Sequence, residues 1–383
     1  MNAVFRICVN TELKSFNLRS LLKVATSIVL GNKATPALVA EAVSIAMLKA
    51  DISIASSVFL LLTSEFANDP QPAITAAAKT ANCTQVFGCS ATGIFTEEDW
   101  VLDTPAAAVM VFGGDVSIQS AKHQQTNQAL LTISAPNAIN STWLNDGNTR
   151  YGGVSGDAVG QGPFSVWNNA KGGNTGKVDA YFTSVKLASK ASHGLKILTK
   201  PKKIQRLSHF DIERLDNKAP LASLQKAWKS HSKSDSPAPL HLMMAAYANN
   251  AEAINHGEFN QTNLISHDEA SGSVTLAQPL EVGQYLSWCL RDQKAAEEDL
   301  LITTQQLLQE LGTTPAFGLL FSCLGRGPFY DGIDHDLKII AQQLPNMPLL
   351  GFYGNGEIAN IAGINQLLPY SAVLSLFAEN STT

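Results

Sequence analysis

Five polar residues near the C-terminal end of the chain have types and spacings suited to recognising a small ligand: Cys323, Arg326, Tyr353, Asn355 and Glu357. Arg326 could bind a carboxylate through two parallel hydrogen bonds, and Glu357 could receive an ammonium group. The two side chains together would suit a zwitterion such as an amino acid. We therefore predict a ligand-binding site here and assign none of these residues a catalytic role.

Each of these residues also has a structural explanation. Arg326 and Glu357 could pair with each other across two strand ends, although a buried ion pair need not add net stability. Asn355 could hydrogen-bond a ligand or simply take the left-handed conformation of a turn. Cys323 could be a small core residue or a reactive thiol beside Arg326. The sequence leaves these alternatives open.

The elements that must position the five residues are two short apolar runs, at 317–321 and 347–352. Both are bounded by Gly and Pro, which is typical of buried strands. The stretch between them has a helical pattern, and a helix that connects two strands of one sheet predicts parallel neighbours. The polar residues after both runs should then emerge at the same edge of the sheet and share one pocket.

A weaker counterpart of this region lies in the first half of the chain. Residues 57–64 align with 316–323, and residues 88–94 align with 351–358 through glycines five positions apart. The counterpart carries its own polar residues after the second run: Cys89, Ser90 and Thr92. A strand–helix–strand–turn–strand unit that occurs twice predicts a duplicated fold. Generic α/β patterns arising twice are the alternative.

We predict the α/β class, as a mixed α+β fold with two related halves, each a mixed sheet flanked by helices. The halves are predicted at 1–215 and 216–383, with 229–239 as the linker candidate. A glycine-rich loop that contains Gly152 and Gly153 is long enough to be functional.

Four further elements are predicted along the chain. They are strands at 3–9 and 181–187 and helices at 35–50 and 292–311.

Composition narrows the function. The chain has 383 residues, of which 45% are hydrophobic and only 15% charged, against roughly 25% charged in an average globular domain. A large core is expected, with surface left for self-association, so a homodimer is one expectation. The net charge of −5 argues against nucleic acid as a partner.

Targeting signals and cysteine spacing point to the cytoplasm. No window has the ~18 apolar residues of a membrane span, and the N-terminus lacks signal-peptide features. The five cysteines are an odd number without metal-site spacing, which predicts reduced thiols and no metal.

Two common enzyme motifs are incomplete. The glycines at 351–356 lack the order and the following Lys-Ser/Thr pair of nucleotide-binding loops, so no cofactor is predicted. Ser90 lacks the glycine two positions later that a nucleophile elbow needs, because Thr92 stands there. A cysteine-dependent enzyme at Cys323 or Cys89 stays an alternative, with four candidate bases: His193, His241, His267 and His335.

Several of these motifs resemble those of a FIST-domain protein. The resemblance is carried by Ser-Cys-Leu-Gly-Arg-Gly at 322–327 and by Gly-Phe-Tyr-Gly-Asn-Gly-Glu-Ile at 351–358. Gly272-Ser-Val-Thr-Leu and Arg291-Asp292 also fit the C-terminal portion of the family. The first half matches more loosely, and together the matches span roughly residues 35 to 375.

The resemblance implies an intracellular, cytoplasmic sensory module that binds a small ligand, an amino acid or a related metabolite, and takes part in signal transduction. It implies a stand-alone bacterial protein with a protein signalling partner. A protein–protein recognition module and the cysteine-dependent enzyme are the alternative functions.

Overall fold

The computed structural model describes residues 22–121, 128–156, 160–173, 176–329 and 331–380. The strand predicted at 3–9 lies outside these ranges. None of the helices within them is long and apolar enough to cross a membrane.

The described residues form seven α-helices. They are α1 (Pro36–Lys49), α2 (Gln71–Thr80), α3 (Ser141–Leu144), α4 (Pro220–Ser232), α5 (Ala251–Asn255), α6 (Gln293–Leu311) and α7 (His335–Gln343).

They also form 25 strands. These are β1 (Lys23–Leu30), β2 (Ser57–Thr63), β3 (Val86–Ala91), β4 (Gly93–Thr96), β5 (Trp100–Val101), β6 (Ala106–Gly113), β7 (Ser117–Ser120), β8 (Leu130–Ser134), β9 (Arg150–Val154), β10 (Val166–Asn168), β11 (Lys171–Gly173), β12 (Lys177–Thr183), β13 (Val185–Ser192), β14 (Leu195–Ile197), β15 (Lys202–Ser208), β16 (Asp211–Leu215), β17 (Met243–Ala248), β18 (Asn260–His267), β19 (Val274–Leu276), β20 (Tyr285–Arg291), β21 (Phe317–Cys323), β22 (Leu349–Gly354), β23 (Glu357–Ile361), β24 (Ile364–Leu368) and β25 (Ala372–Glu379).

The predicted helices at 35–50 and 292–311 are confirmed as α1 and α6, and local capping explains their bounds. The Thr35 hydroxyl accepts a hydrogen bond from Leu38 N at 3.3 Å at the start of α1, which satisfies one of the free N–H groups there. At the start of α6, the Asp292 carboxylate accepts a hydrogen bond from Ala295 N at 2.9 Å. Gly312 ends this helix in the left-handed conformation, with φ +68°.

The strands form four sheets. Three have six strands each, in the orders β1-β6-β2-β3-β10-β11, β24-β23-β9-β8-β12-β7 and β13-β25-β21-β22-β4-β5. The fourth has seven strands, β14-β20-β15-β16-β19-β18-β17, and closes on itself because β17 also pairs with β20. Parallel and antiparallel pairs occur together with helices, so the predicted mixed α+β class is confirmed.

Strands β21 and β22 are parallel neighbours joined through α7, as the sequence predicts. The orders β1-β6-β2-β3 and β13-β25-β21-β22 also match strand by strand, each with one parallel and two antiparallel pairs. This correspondence agrees with two related halves. The duplication itself stays a prediction.

The main core lies between the three six-stranded sheets and draws on both halves of the chain. Phe317 stacks on Phe377 with ring centroids 4.5 Å apart, and Phe112 meets Phe317 edge-on at 5.2 Å. Aromatic side chains bury large apolar areas, and such pairs add about 0.5–1.5 kcal/mol beyond area burial. The two halves are therefore held by one shared core.

Two sequence predictions concern the strand at 181–187 and the domain boundary near residue 215. The single strand predicted at 181–187 is wrong, because Ser184 has φ +62° and divides it into β12 and β13, which lie in different sheets. The predicted boundary near residue 215 falls between strands of the fourth sheet, since β14 to β16 precede it and β17 to β20 follow it. The linker candidate 229–239 covers the end of α4 and part of the loop before β17.

The close approach of β22 to its neighbours requires a glycine at position 351. A Cβ there would overlap the carbonyl oxygen of Leu320 and the ring of Phe95. We expect Gly351→Ala to lower the free energy of unfolding by about 3 kcal/mol or more, measured by urea denaturation. Gly172→Ala is the matched control, because the nearest atom to its Cβ would be 3.7 Å away. Equal small effects in both variants would contradict the packing shown.

Candidate functional site

The candidate site lies where β20, β21 and β23 meet the loop before β25. We call it the strand-end cluster and define it as Arg291, Cys323, Glu357, Tyr370 and Ser371. Ser371 connects its members: its carbonyl oxygen accepts a hydrogen bond from Cys323 N at 3.0 Å, and its hydroxyl donates to Glu357 Oε2 at 2.7 Å. The structure thus connects Cys323 at the end of β21 with Glu357 at the start of β23, two strands of different sheets, through Ser371.

The carboxyl group of Glu357 is buried and only half satisfied. The residue is 1% exposed, and Oε2 accepts hydrogen bonds from both the hydroxyl and the backbone N of Ser371. Oε1 has no hydrogen-bond partner among the described residues. Burial raises the pKa of Glu357 well above its usual range, and the Ser371 hydrogen bonds only partly oppose this. A buried oxygen of this kind is costly and calls for a partner.

Arg291 places a guanidinium in the same cluster. Its Nη2 donates to Gly325 O and its Nη1 to His241 O at 3.3 Å. The guanidinium carbon lies 3.7 Å from the ring centroid of Tyr370 and 4.3 Å from that of Phe329. Nε is buried and has no hydrogen-bond partner within the described ranges. The cluster therefore contains one unpartnered carboxyl oxygen and one unpartnered cationic N–H.

The thiol of Cys323 is poorly suited to nucleophilic chemistry. Burial and the neighbouring Glu357 carboxylate raise its pKa to about 12, against the smaller lowering effects of Gly325 and Tyr370 backbone hydrogen bonds and of Arg291. The thiolate is the reactive form, so this group stays protonated at neutral pH. Cys89 is fully buried as well, and burial raises its pKa further.

Thiol labelling tests this assignment. Among the four cysteines of the described residues, we expect iodoacetamide to modify the half-buried Cys83 first in native protein at neutral pH, because accessibility and thiolate fraction both control the rate. Three cysteines should react only when the chain unfolds: Cys89, Cys289 and Cys323. Site-resolved mass spectrometry measures the rates. Rapid native labelling of Cys323 would support the enzyme alternative instead.

Arg326 belongs to the fold rather than to the cluster. Its Nε donates to Asp336 Oδ2 at 2.8 Å and its Nη2 to Oδ1 at 3.2 Å. Further hydrogen bonds reach Ser192 O at 2.8 Å, Ser192 Oγ at 2.9 Å and Ala296 O at 3.1 Å. With 2% exposure and these acceptors, the guanidinium forms a buried ion pair with Asp336, not with Glu357. We do not retain it as a carboxylate-binding group.

Tyr353 is likewise a structural residue. It is fully buried, its ring lies 4.8 Å from Phe95 between centroids, and its hydroxyl donates to Asp334 Oδ2. The other oxygen of Asp334 accepts from Leu337 N at 2.9 Å and caps α7. Burial and the nearby Asp336 carboxylate raise the pKa of Asp334 to about 6. These contacts fix the start of α7 on β22.

The raised pKa of Asp334 predicts a pH dependence of stability. Its pKa is about 6 in the folded protein and 3.8 for the ordinary group, so the folded state binds this proton more tightly. The resulting stability is full below pH 3.8 and is lost as pH rises through 6. The change is about 2–3 kcal/mol.

Asp334→Asn tests this dependence because it removes the titrating group, while the amide oxygen can accept from Leu337 N and the amide N–H can donate to the Tyr353 hydroxyl. Between pH 4 and 7, we expect the unfolding free energy of the native chain to fall relative to that of the variant. Urea titrations at several pH values measure the difference. A constant difference across this window would show that Asp334 does not titrate as described.

Asn355 lies outside the cluster. It is exposed, and its side chain covers Gly156, where a Cβ would come within 2.8 Å of it. Its backbone N donates to Val154 O at 3.0 Å. The positive φ at this turn, +132°, belongs to Gly356, so the left-handed conformation considered for Asn355 is not observed.

The predicted residues of the first half are buried next to other elements. The Ser90 hydroxyl accepts from Ser165 N at 3.0 Å, and Ser90 O accepts from the Ser155 hydroxyl at 2.6 Å. Thr92 is 5% exposed, and its hydroxyl has no partner among the described residues. These groups bind Ser155 and Ser165 to the end of β3.

Gly152 and Gly153 lie in β9 rather than in a loop. Gly153 pairs with Glu357 and Gly152 with Ile358. A Cβ on Gly153 would approach Phe352 at 2.8 Å and Phe321 at 3.2 Å. Gly153 therefore flanks the strand-end cluster through its backbone and allows two sheets to pack closely.

His193, one of the candidate bases, contacts residues outside the strand-end cluster. Its Nδ1 lies 2.9 Å from Gln261 Oε1, its Nε2 lies 3.2 Å from Gly257 O, and its ring stacks on Phe259 at 4.1 Å. Burial lowers its pKa. His193 is a buried core residue held by these contacts, so the enzyme alternative gains no support from it.

Sequence reasoning missed Tyr370, Ser371 and the charged member of the cluster, Arg291. Its signal was its position at the end of an apolar strand, directly before the helix cap Asp292. This position is the same kind of strand end that drew attention to Arg326. Within the described ranges, no group of three or more His, Cys, Asp or Glu side chains could hold a metal ion.

Fold and site together define a mixed α+β protein with a buried guanidinium and a buried carboxyl group at its strand ends. Residues 222–360 match the family model of the FIST C domain. This region of the chain is therefore similar to the FIST C domain, a domain of the sensory and signal-transduction class. Arg291, Cys323 and Glu357 all lie within the matched residues.

Two mycobacterial proteins are similar to part of the chain. "Uncharacterized protein Rv0628c" of Mycobacterium tuberculosis is 36% identical over 124 residues, which is 32% of this chain and 32% of the relative. "Uncharacterized protein Mb0898c" of Mycobacterium bovis is 35% identical over 125 residues, again 32% of each. The match thus spans about a third of the length of these curated relatives.

Proposed function

We propose that the protein is a sensor that binds an amino acid or a closely related zwitterion at the strand-end cluster. One observation carries this proposal: Glu357 Oε1 and Arg291 Nε are both buried and both lack a partner among the described residues. A carboxyl oxygen and a cationic N–H in one cluster complement the ammonium and carboxylate groups of such a ligand. Hydrogen bonds to charged groups are stronger than neutral ones.

The roles of the charged groups follow from their donor and acceptor types. The ammonium group would donate to Glu357 Oε1, and the carboxylate would accept from Arg291 Nε. Each contact would satisfy an atom whose isolation destabilises the free protein. Arg291 thus takes the role that the sequence suggested for Arg326.

Ligand binding should release a proton. Burial raises the pKa of Glu357 in the free protein, whereas a neighbouring ammonium group favours the charged carboxylate and lowers it. Binding is therefore coupled to deprotonation of Glu357 and should strengthen as pH rises. Calorimetry in buffers of different ionisation enthalpy would register this proton.

Phe329 offers a route from the ligand to a partner protein. Its ring covers Arg291 at 4.3 Å while the residue is 49% exposed. A ligand that changes the position of Arg291 therefore changes a surface aromatic residue. Surface aromatic residues are common anchors in protein interfaces, which agrees with a signalling role.

We also propose a cytoplasmic location. Four cysteines of the described residues are free thiols: Cys83, Cys89, Cys289 and Cys323. Reduced cysteines are typical of cytosolic proteins.

A ligand screen with paired variants tests the binding site. An amino acid at 100 times its Kd should stabilise the protein by about 2.7 kcal/mol and raise Tm. We expect Glu357→Gln to weaken its affinity by about 10- to 100-fold, because a charge-assisted hydrogen bond is lost. The amide still accepts from Ser371, so the fold should be retained. Arg291→Lys should weaken binding similarly, because lysine lacks the Nε donor.

Exposed residues provide the matched controls. Glu41→Gln in α1 and Arg214→Lys in β16 make the same chemical changes on the surface and should leave affinity unchanged. If no amino acid or small zwitterion raises Tm, or if Glu357→Gln and Arg291→Lys bind the ligand as tightly as the native chain, the proposed site is wrong.

A further inference from the structure

A separate cavity of about 330 Å³ lies between two of the six-stranded sheets, beside the C-terminal end of α6. It is bounded by β9 and β12 on one side and by β13 and β25 on the other. Its wall is mainly aromatic and aliphatic and is formed by Ala129, Tyr151, Phe182, Val185, Leu187 and Phe377. None of these residues belongs to the strand-end cluster.

The cavity has the size and lining of a small-molecule site. Ligand pockets in proteins typically enclose about 300–1,000 Å³ and combine apolar walls with a few polar groups. An apolar cavity of about 150 Å³ binds benzene, so this one has about twice that space. It can hold a molecule of two fused or linked rings.

The lining also contains Gln128, Thr149 and Ser189, and its buried polar residue is Tyr151. It is 2% exposed, and its hydroxyl has no hydrogen-bond partner among the described residues. Burial raises the pKa of Tyr151, so the hydroxyl remains protonated and can act as a donor. An acceptor oxygen on a ligand would satisfy it.

The charges at the cavity favour a neutral ligand. No lysine or arginine is among the lining residues, while the Glu310 carboxylate at the end of α6 contributes to the rim. Glu310 has no ion pair within the described ranges, and the Lys186 ammonium donates to its backbone oxygen at 3.1 Å. A carboxylate at the entrance repels anions.

We propose that this cavity is a second ligand site, which takes a neutral, two-ring apolar molecule whose carbonyl oxygen accepts a hydrogen bond from Tyr151. The site is distinct from the strand-end cluster in both position and chemistry. The two sites share elements: β9 carries both Tyr151 and Gly153, which pairs with Glu357. Helix α6 runs from the residue after Arg291-Asp292 to the cavity rim at Glu310.

The neutral dye Prodan (6-propionyl-2-dimethylaminonaphthalene) provides the test, because it combines two fused rings with one carbonyl group. Titration of the full chain should give saturable binding with blue-shifted emission. Tyr151→Phe should weaken that binding by about 3- to 10-fold, the effect of one neutral hydrogen bond. Its Tm should be unchanged or higher, because an unsatisfied buried hydroxyl is removed.

Leu187→Trp should fill the cavity and weaken binding by at least about 10-fold, since overpacking excludes the dye. Leu48→Trp is the control, because it adds the same side chain at a position that is 83% exposed. The proposal is overturned if Prodan does not bind saturably, or if it binds Tyr151→Phe with native affinity. Because Tyr151→Phe removes only one oxygen atom, the test does not depend on Leu187→Trp folding.

Discussion

The buried guanidinium of Arg326 is the interaction on which the arrangement of the C-terminal region depends. A buried charge is tolerated only when it is paired and its donors are satisfied. Arg326 meets this condition through Asp336 of α7, Ser192 of β13 and Ala296 of α6. One side chain thereby fixes two helices and an edge strand around the end of β21. Since α6 begins directly after Arg291, the same contacts help to place Arg291 at the strand ends.

Because Arg326 is committed to the fold, the proposed charge recognition is assigned to other residues. Glu357 and Arg291 are buried nearby with one polar atom each unsatisfied. Unsatisfied buried atoms lower stability, and proteins retain such local conflicts chiefly at functional sites. Arg326 is thus a fully paired cation that supports the fold. Arg291 and Glu357 are only partly paired, and they are the groups proposed to bind the ligand.

The shared core makes communication between distant sites physically reasonable. Phenylalanines of both halves pack in one cluster, and β9 and α6 each extend from the strand-end cluster to the cavity at Tyr151. Coupling between two sites requires elements that contact both and have more than one arrangement. Strand β9 and helix α6 supply these contacts. A ligand in the proposed cavity site can therefore influence the strand-end cluster through these two elements.

The sequence by itself determined the local elements and part of the site. Thr35, Asp292 and Gly312 define helix ends through nearby backbone contacts, and the glycine-bounded apolar runs predict β21 and β22 as parallel strands. Only the tertiary structure decided that Arg326 pairs with Asp336 rather than with Glu357. A guanidinium stands at the end of a long, flexible side chain, and its direction depends on acceptors that are remote in sequence. Asp336, Ser192 and Ala296 draw Arg326 to the helices, which leaves Arg291 for the site.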